Sequence, residues 1–584
     1  MANYNNCLFS QGNLIYLNMK KALLIAGISC SMAMQAQTLN WAKKIGGENL
    51  DIGRTIITDA AGNVYTSGSF VGTVDFDPGA GVFNLVSETG NDILDIYLSK
   101  LDASGNFVWA KRIGGQGEQQ ARALTLDASG NILLCGRLQG TADFDPGAGI
   151  MNLTATTGGD IFVCKLDASG ELVWAKQMGG STQDYGYGIA TDAAGNVYTT
   201  GHFTGTADFN PGSGVAELTA LGNFDIFVSK LTAAGNLAWT KQIGGTDVDK
   251  GTSMTVDAAG NVFVTGTFMS TCDFDPGIGT TSLTSGGEED AFILKLESSL
   301  GMFSWVKSFS GSLVSYLHSV ALDASGNIVV GGYFRGTADF DPGAGVVNLT
   351  TADEESDAVI CKLNASGALV WAKQIGGEDE QISFSVASDM AGNVYTTGAF
   401  YNAVDFNPGN GVFNMTSAGE DDIFISKLDA AGEFVWAVQL GGADTDNGCA
   451  ITVDAGGKVH STGYFRGTAD FDPQAGTFNM TAASVDIDAY VHQMTSPVDA
   501  SSLQENESLS FDIYPNPNAG SFQLKTVQAV SVEISNMAGQ LMQQQQLTAG
   551  THTFQLGNVA GGLYVIRATA ENGATSIQRI SVLK

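Results

Sequence analysis

An all-β fold is what this sequence predicts, and three observations predict it. The composition is that of short strands and tight turns: 75 glycines in 584 residues, 44% hydrophobic residues and only 15% charged ones, against roughly 25% charged in ordinary globular domains. All seven tryptophans are repeat markers, Trp41, Trp109, Trp174, Trp239, Trp305, Trp371 and Trp436, spaced by 68, 65, 65, 66, 66 and 65 residues. Offsets inside the repeat are fixed. An aspartate opening an Asp-Ala-Ala-Gly-Asn type of turn stands 18 residues after each Trp, at Asp59, Asp127, Asp192, Asp257, Asp323, Asp389 and Asp454. An Asp-Phe-(Asp/Asn)-Pro motif begins 34 residues after each Trp, at Asp75, Asp143, Asp208, Asp273, Asp339, Asp405 and Asp470. Repeat length varies mainly after that motif, so strands are length-locked and one loop absorbs insertions.

Residues 1–18 form a polar leader, expected to be a start-site extension ahead of Met19. Residues 19–36 have the organisation of a secretory signal peptide: Lys20 and Lys21, the apolar run 22–28, and a small-residue region 31–36 with cleavage after Ala36 or Ala33. That run is too short to span a bilayer, and no later stretch approaches about 20 apolar residues, so no transmembrane helix is expected in the mature protein. Cys7 and Cys30 precede the cleavage site. The remaining Cys135, Cys164, Cys272, Cys361 and Cys449 are scattered without CxxC spacing. They read as buried free thiols rather than a disulfide framework or zinc site, with one local Cys135–Cys164 bridge left open.

Each repeat reads as four short strands. In one unit these are residues 188–191, 197–203, 225–231 and 237–243, the first pair and the last pair joined by Asp/Asn-Gly turns. Runs such as Ile226, Phe227 and Val228 do not alternate between apolar and polar, so both faces of the strand must be covered, as in sheets stacked around an axis. The first three strands occur seven times, but the last repeat ends at 488–494 without a Trp strand, while the strand 39–45 has no partners before it. Pairing 39–45 with the last repeat completes a seventh sheet and hides both edges. The expectation over residues 38–494 is therefore a seven-bladed β-propeller closed by the N-terminal strand, not an open solenoid. Through its VYTTG, DIFVSKL, DAAGN and WAKQIGG segments the chain resembles the bacterial seven-bladed β-propeller repeat family. That resemblance implies a fold and no general enzymatic activity.

Residues 495–508 read as a polar linker, and 509–584 as a small C-terminal β-sandwich of short alternating strands. The ordered series Tyr514, Pro515, Asn516, Pro517, Gly520, Phe522, Gly539, Gly562, Tyr564 and Lys584 is similar to the type A C-terminal sorting domain of the type IX secretion system. Arg579 stands where that family often has lysine. The resemblance implies the type IX machinery as a partner, passage across the outer membrane, and removal of the domain, leaving cargo secreted to the cell surface or medium.

The 27 Lys and Arg face 60 Asp and Glu, a formal charge of -33, which argues against nucleic acid or an anionic membrane as a partner. Alternating strands place the tight turns on one face, and the Asp-Phe-(Asp/Asn)-Pro inserts with acidic connections (Glu48 to Asp51, Asp184, Asp247 with Asp249, Glu378 to Glu380, Asp444 with Asp446) on the other. Calcium is the one cofactor the pattern allows, at Asp75 with Asp77, Asp143 with Asp145, Asp273 with Asp275, Asp339 with Asp341 and Asp470 with Asp472. The same residues read equally as turn chemistry, since Asn210 and Asn407 replace the second Asp. No GxSxG, HExxH or Walker loop is present, and His202, His318, His460, His492 and His552 lie on separate repeats or the tail. Five residues before each turn aspartate stand Arg54, Arg122, Tyr187, Thr252, His318, Phe384 and Cys449, an irregular ring. It reads either as a channel-mouth ligand site, with Arg54, Arg122, Tyr187 and His318 as contacts, or as a solvated strand end. A noncatalytic binding or adhesive role towards glycan or protein is the expected function. The rivals are a polysaccharide hydrolase or lyase acting at the acidic face and a self-associating surface-coat component.

Overall fold

The computed structural model describes residues 37–87, 93–474, 476–496, 511–514, 516, 520–526, 529–536, 541–556, 562–570 and 575–582. The expected leader with Cys7, the expected signal segment with Cys30, and most of the linker lie outside them. The contact pattern divides the chain into two units, Met1–Pro497 and Val498–Lys584.

The larger unit is all β. Its described residues form seven six-stranded antiparallel sheets, an architecture consistent with propeller blades. One sheet runs Asp184–Thr191, Val197–Phe203, Asp225–Leu231, Leu237–Gly245 and then two short strands, Thr271–Asp273 and Ser282–Thr284. Four strands per repeat was the expectation. The extra pair is the Asp-Phe-(Asp/Asn)-Pro insert of the following repeat, folded into a hairpin that adds to the preceding Trp strand through Gly244 opposite Asp273 and Gly245 opposite Cys272. A solvent-facing strand edge invites further pairing, and this hairpin covers part of it.

Thr38–Gly47 pairs with Ile487–Thr495, Leu39 opposite Met494 and Ile45 opposite Ala489, and its last residues continue onto the first insert through Gly46 opposite Asp75. The N-terminal strand therefore belongs to the sheet of the last repeat.

Cores form between sheets. Leu133, Ile161, Val163 and Met178 of one sheet meet Ile189, Val197, Phe203 and Phe227 of the next. Ile226 and Val228 join the cluster on the other side, which is why the run 226–228 shows no alternation. In the same manner Ile45, Ala489 and Val491 of the last sheet pack on Ile56, Val64 and Phe70 of the first. Two Trp side chains hydrogen-bond across to the next sheet: the indole N–H of Trp174 donates to the Ala233 carbonyl (3.1 Å) and that of Trp371 to Ala430 (3.2 Å), both in the second tight turn, while the Trp41 and Trp239 rings lie against the same turn at Gly105 and Gly301 without that bond. A marker that docks on the next repeat explains the constant spacing.

The turn aspartate organises the first tight turn. Asp59 Oδ1 accepts the N–H groups of Ala61 and Asn63, both at 2.9 Å, while Oδ2 accepts the Asn63 side-chain amide at 2.7 Å. The five mature-chain cysteines are free. Cys135 and Cys164 lie on adjacent strands but in different core clusters, on opposite faces of their sheet, so the local bridge left open above does not form.

In the smaller unit a three-stranded sheet and a four-stranded sheet share one core of Phe511, Phe522, Leu524 and Phe554 with Val532, Ile534, Tyr564, Ile566 and Ile580. This is the sandwich expected from its alternating strands. No helix among the described residues is long and apolar enough to cross a membrane.

Candidate functional site

In the first strand of every repeat, pairing with the second strand slips by one residue at the same place. The seven extra residues are Arg54, Arg122, Tyr187, Thr252, His318, Phe384 and Cys449, the irregular ring noted in the sequence. A bulge re-aims the residue it inserts. All seven, each half-buried, line one cavity of about 520 Å³. The opposing glycine of the second strand makes room for the slip: a Cβ on Gly68 would lie 1.8 Å from the Ile52 carbonyl oxygen, and one on Gly201 1.8 Å from that of Tyr185. The glycine of VYTTG was therefore the sequence signal for the bulge.

A second cavity of about 350 Å³ shares Arg122, Tyr187, Thr252 and Tyr316 with the first and adds Gln120, Arg137, Tyr185, His202, Phe224 and Lys250. Sequence reasoning missed these. All but Phe224, which immediately precedes the third strand, stand two residues before the bulge or on the second strand, where nothing in the repeat marks them. Aromatic and cationic groups interleave: Arg137 lies over the Tyr185 ring (4.5 Å), Tyr185 stacks on Tyr187 (6.0 Å), and Arg122 lies over Tyr187 (5.3 Å). Across the cavity Tyr316 stacks on Tyr333 (5.4 Å) and touches His318 (4.6 Å), which meets Phe384 (5.1 Å).

Neither lining contains an Asp or Glu. Arg122 donates to the neutral Gln120 side-chain oxygen. The Nε of Arg54 is buried without a hydrogen-bond partner. Burial first, and the Arg122 charge second, push the Arg54 guanidinium below its usual value. Burial also pushes His318 down to about 4, and His202 down to about 3 with Lys250 and Arg122 adding to the effect, so both imidazoles are neutral at pH 7. A larger depression of about 1,050 Å³ on the outer rim is lined by Asp357, Gln374, Gly376, Asp405, Asn407 and neighbours. Those residues recur in the other repeats as structural parts, so this depression has nothing to distinguish it as a site.

The structure scatters the calcium candidates over separate edge hairpins. Asp75 Oδ1 accepts the N–H of Asp77 (3.0 Å) and of Phe83 (2.8 Å), and Asp77 Oδ1 that of Gly79 (2.8 Å). Asp143, Asp273, Asp339 and Asp470 accept in the same way as Asp75, and Asp145, Asp275 and Asp341 in the same way as Asp77. Asp472 Oδ1 accepts from Gln474. Asn210 and Asn407 fill the same acceptor role towards Gly212 and Gly409. Among the described residues no group of three or more His, Cys, Asp or Glu is placed to hold a metal ion.

The acidic connections differ from expectation. Asp51, Asp184, Asp249 and Asp446 are fully buried, and each accepts a backbone N–H at 2.6–2.7 Å, from Gly47, Gly180, Gly245 and Gly442. Each feels a second buried carboxylate, Asp488, Asp160, Asp225 and Asp422 respectively. A Cβ on Gly46 would lie 2.2 Å from the Asp488 carboxyl carbon, which accounts for the first glycine of the pair near the end of six of the seven Trp strands; the Trp305 strand has Ser310 there. Burial foremost, opposed by those N–H bonds and reinforced by the second carboxylate, raises Asp51 and Asp446 to about 8 and Asp184 and Asp249 to about 7.

The folded state thus holds protons that the unfolded chain, with carboxyls near 3.8, releases. This contribution is complete below the unfolded value and is lost as pH rises through 7 and 8. Each group contributes about 1.4 kcal/mol per pH unit across its titration. Melting temperature is therefore expected to rise as pH is lowered from about 9 to 6.5. Below 6.5 the gain is opposed by His202, His318 and His492, which the fold keeps neutral. Thermal melts across that range, with Asp51→Asn flattening part of the slope, check this; a flat profile from 9 to 6.5 contradicts it.

In the smaller unit the side chains of Phe522 and Tyr564 lie in the core, and Gly562 opens the strand Gly562–Ala570. Tyr514 is exposed, the Gly520 carbonyl accepts from Leu556 (2.8 Å), and the Asn516 side chain accepts the Ser581 N–H (2.9 Å). Pro515, Pro517, Gly539 and Lys584 lie outside the described residues.

Comparison with known proteins agrees with this division. Residues 173–209 and 238–267 match the family described as beta-propeller repeat, so this part of the chain carries propeller repeats. Residues 512–583 match the family described as secretion system C-terminal sorting domain. The protein thus combines propeller repeats with a type IX sorting tail, which implies engagement with that secretion machinery and an extracellular or cell-surface location. An uncharacterized WD repeat-containing protein, L264, of Acanthamoeba polyphaga mimivirus is 22% identical over 507 residues, 73% of this chain and 36% of the relative. The regulatory protein FlaEY of Caulobacter vibrioides is 26% identical over 126 residues, 21% of this chain and 13% of the relative. The chain therefore spans well under two thirds of either relative's length. Among solved structures, Sqt1 from Chaetomium thermophilum is 12% identical, covering 84% of this chain and 97% of that one, with a TM-score of 0.36.

Proposed function

We propose that this chain is a secreted, seven-bladed propeller, closed by Thr38–Gly47, that binds an extracellular glycan or protein without turning it over, with the axial cavity as its ligand site. The observation that carries the site is the convergence on one cavity of seven bulged residues of six different types. A repeat protein selected for stacking alone has no need of six kinds of side chain at one repeated position, whereas a binding site needs asymmetry. Closure is supported by the strand pairing of Thr38–Gly47 with Ile487–Thr495 and by the shared core of first and last sheets. Burial of Asp51, Asp184, Asp249 and Asp446 removes four of the carboxylates on which a hydrolase or lyase at the acidic face would rely. In this reading the signal peptide at 19–36 is cleaved and the sorting domain is removed after export.

Purified mature protein, screened on polysaccharides for both retention and product release, is expected to bind without releasing shortened chains, and Tyr187→Ala with His318→Ala is expected to abolish binding. Release of products would replace this reading with the hydrolase or lyase.

Calcium has no part in the proposed site, because the Asp-Phe-Asp-Pro carboxylates are occupied by backbone donors. Melting curves in chelator and in millimolar calcium are expected to coincide, and a calcium-dependent rise would return these aspartates to a metal role.

A further inference from the structure

We infer that the axial cavity takes an anionic ligand, the carboxylate of a terminal acidic sugar, seated between Arg54 and Arg122 with the sugar ring against the Tyr187 and Tyr316 walls. This rests on the reading of the cavity as the ligand site and adds the ligand's chemistry.

Charge argues first. The chain carries -33, yet the two contiguous cavities collect Arg54, Arg122, Arg137 and Lys250 and no carboxylate. Surface cations in so acidic a protein find acidic neighbours easily, as Lys111 does with Glu171 and Lys44 with Asp488. Among the described residues Arg54 has no ion pair, and the largest charge acting on it is a like charge, Arg122. Two guanidinium groups held together in a partly desolvated cavity repel each other, and an anion between them removes both the repulsion and the missing hydrogen bonds. The neutral imidazoles of His202 and His318 add no compensating charge, and His202 Nδ1 is itself a buried atom without a partner.

Shape argues next. Planar guanidinium forks match a carboxylate in two-point contact. The flat faces of Tyr185, Tyr187 and Tyr316, the last backed by Tyr333, supply walls for the apolar face of a ring, and about 520 and 350 Å³ accommodate one or two sugar residues. The strongly negative exterior disfavours a long polyanion lying across the surface. One acidic residue at a chain end, entering the cavity alone, meets the cations without crossing that field.

The test uses the mature chain with glucuronate, its neutral methyl ester, glucose and inorganic sulfate as probes, followed by calorimetry and thermal shift. Glucuronate is expected to bind and to raise the melting temperature, the ester to bind at least tenfold more weakly, and Arg54→Gln or Arg122→Gln to lose at least tenfold in affinity. Without ligand, Arg54→Met is expected to melt above the wild type, because it removes an unpaired cation from the cavity. Equal stabilisation by sulfate overturns the sugar assignment. Equal binding of ester and acid, abolished by Tyr187→Ala, overturns the anionic assignment while leaving the cavity as the ligand site. Absence of binding by every probe, together with Arg54→Met melting no higher than wild type, overturns the inference as a whole.

Discussion

Deleting residues 38–47 is expected to abolish the cooperative melting transition of the larger unit and to send the protein into aggregates. This strand is remote in sequence from everything it holds. It pairs with Ile487–Thr495 on one side and with the first insert hairpin on the other, and Lys44 sits 3.2 Å from the buried Asp488 carboxylate. Its Ile45 is fully buried between the last and first sheets. Without it, Ile487–Thr495 becomes a flat apolar edge exposing Ala489, Val491 and Met494, a template for pairing with other chains. Asp488 would then lose its cation while staying next to Asp51. The milder Ile45→Ala retains the strand and is expected to cost about 2–5 kcal/mol, the usual range for emptying a fully buried Ile site. Circular dichroism melts and size-exclusion profiles of both variants check this. A deletion variant that melts as the full chain does would show that the sheets hold without the strand, and the closed arrangement would fall with it.

In the unit read strand by strand, the second and third strands, Val197–Phe203 and Asp225–Leu231, were legible to the residue, because fully buried strands write continuous apolar runs bounded by turn residues. The first strand was not. Expected at 188–191, it begins at Asp184, because the bulge at Tyr187 breaks the period-two pattern and a buried aspartate opens the strand where a surface loop was expected. The edge hairpins escaped notice for a different reason: strands of three residues such as Thr206–Asp208 are too short to show any period. Asp51 and its equivalents misled because a carboxylate reads as surface until its N–H donor is seen, and that donor is four residues away on a backbone glycine. The ring of Arg54, Arg122, Tyr187 and His318 was visible as a variable position in a regular repeat. That it faces one cavity depended on the bulges, whose one signal, the opposing glycine of the second strand, reads as an ordinary strand glycine until the slipped register is seen.

Truncation after Ser496 is expected to leave a folded propeller unit that no longer leaves the cell. Ser496 is the right limit because its hydroxyl accepts the Trp436 indole N–H at 3.3 Å and the last strand runs to Thr495, so both are kept. None of the seven inter-sheet cores contains a residue beyond Met494, and the sorting unit has a core of its own from Phe511 to Val582. Separate cores lose stability separately. The truncated chain should therefore melt cooperatively at the temperature of the larger unit in the full chain, while its export fails for want of the tail matched at 512–583. With the proposed signal at 19–36 intact, it is expected to accumulate in the periplasm of a host with a type IX system, and the full-length chain to reach the surface or medium shortened near the linker. Fractionation with an antibody against the propeller reads both outcomes. Truncated protein recovered outside the cell at full-length yield would remove the sorting role from the C-terminal domain, and a truncated chain that fails to melt cooperatively would show that the two units share stability after all.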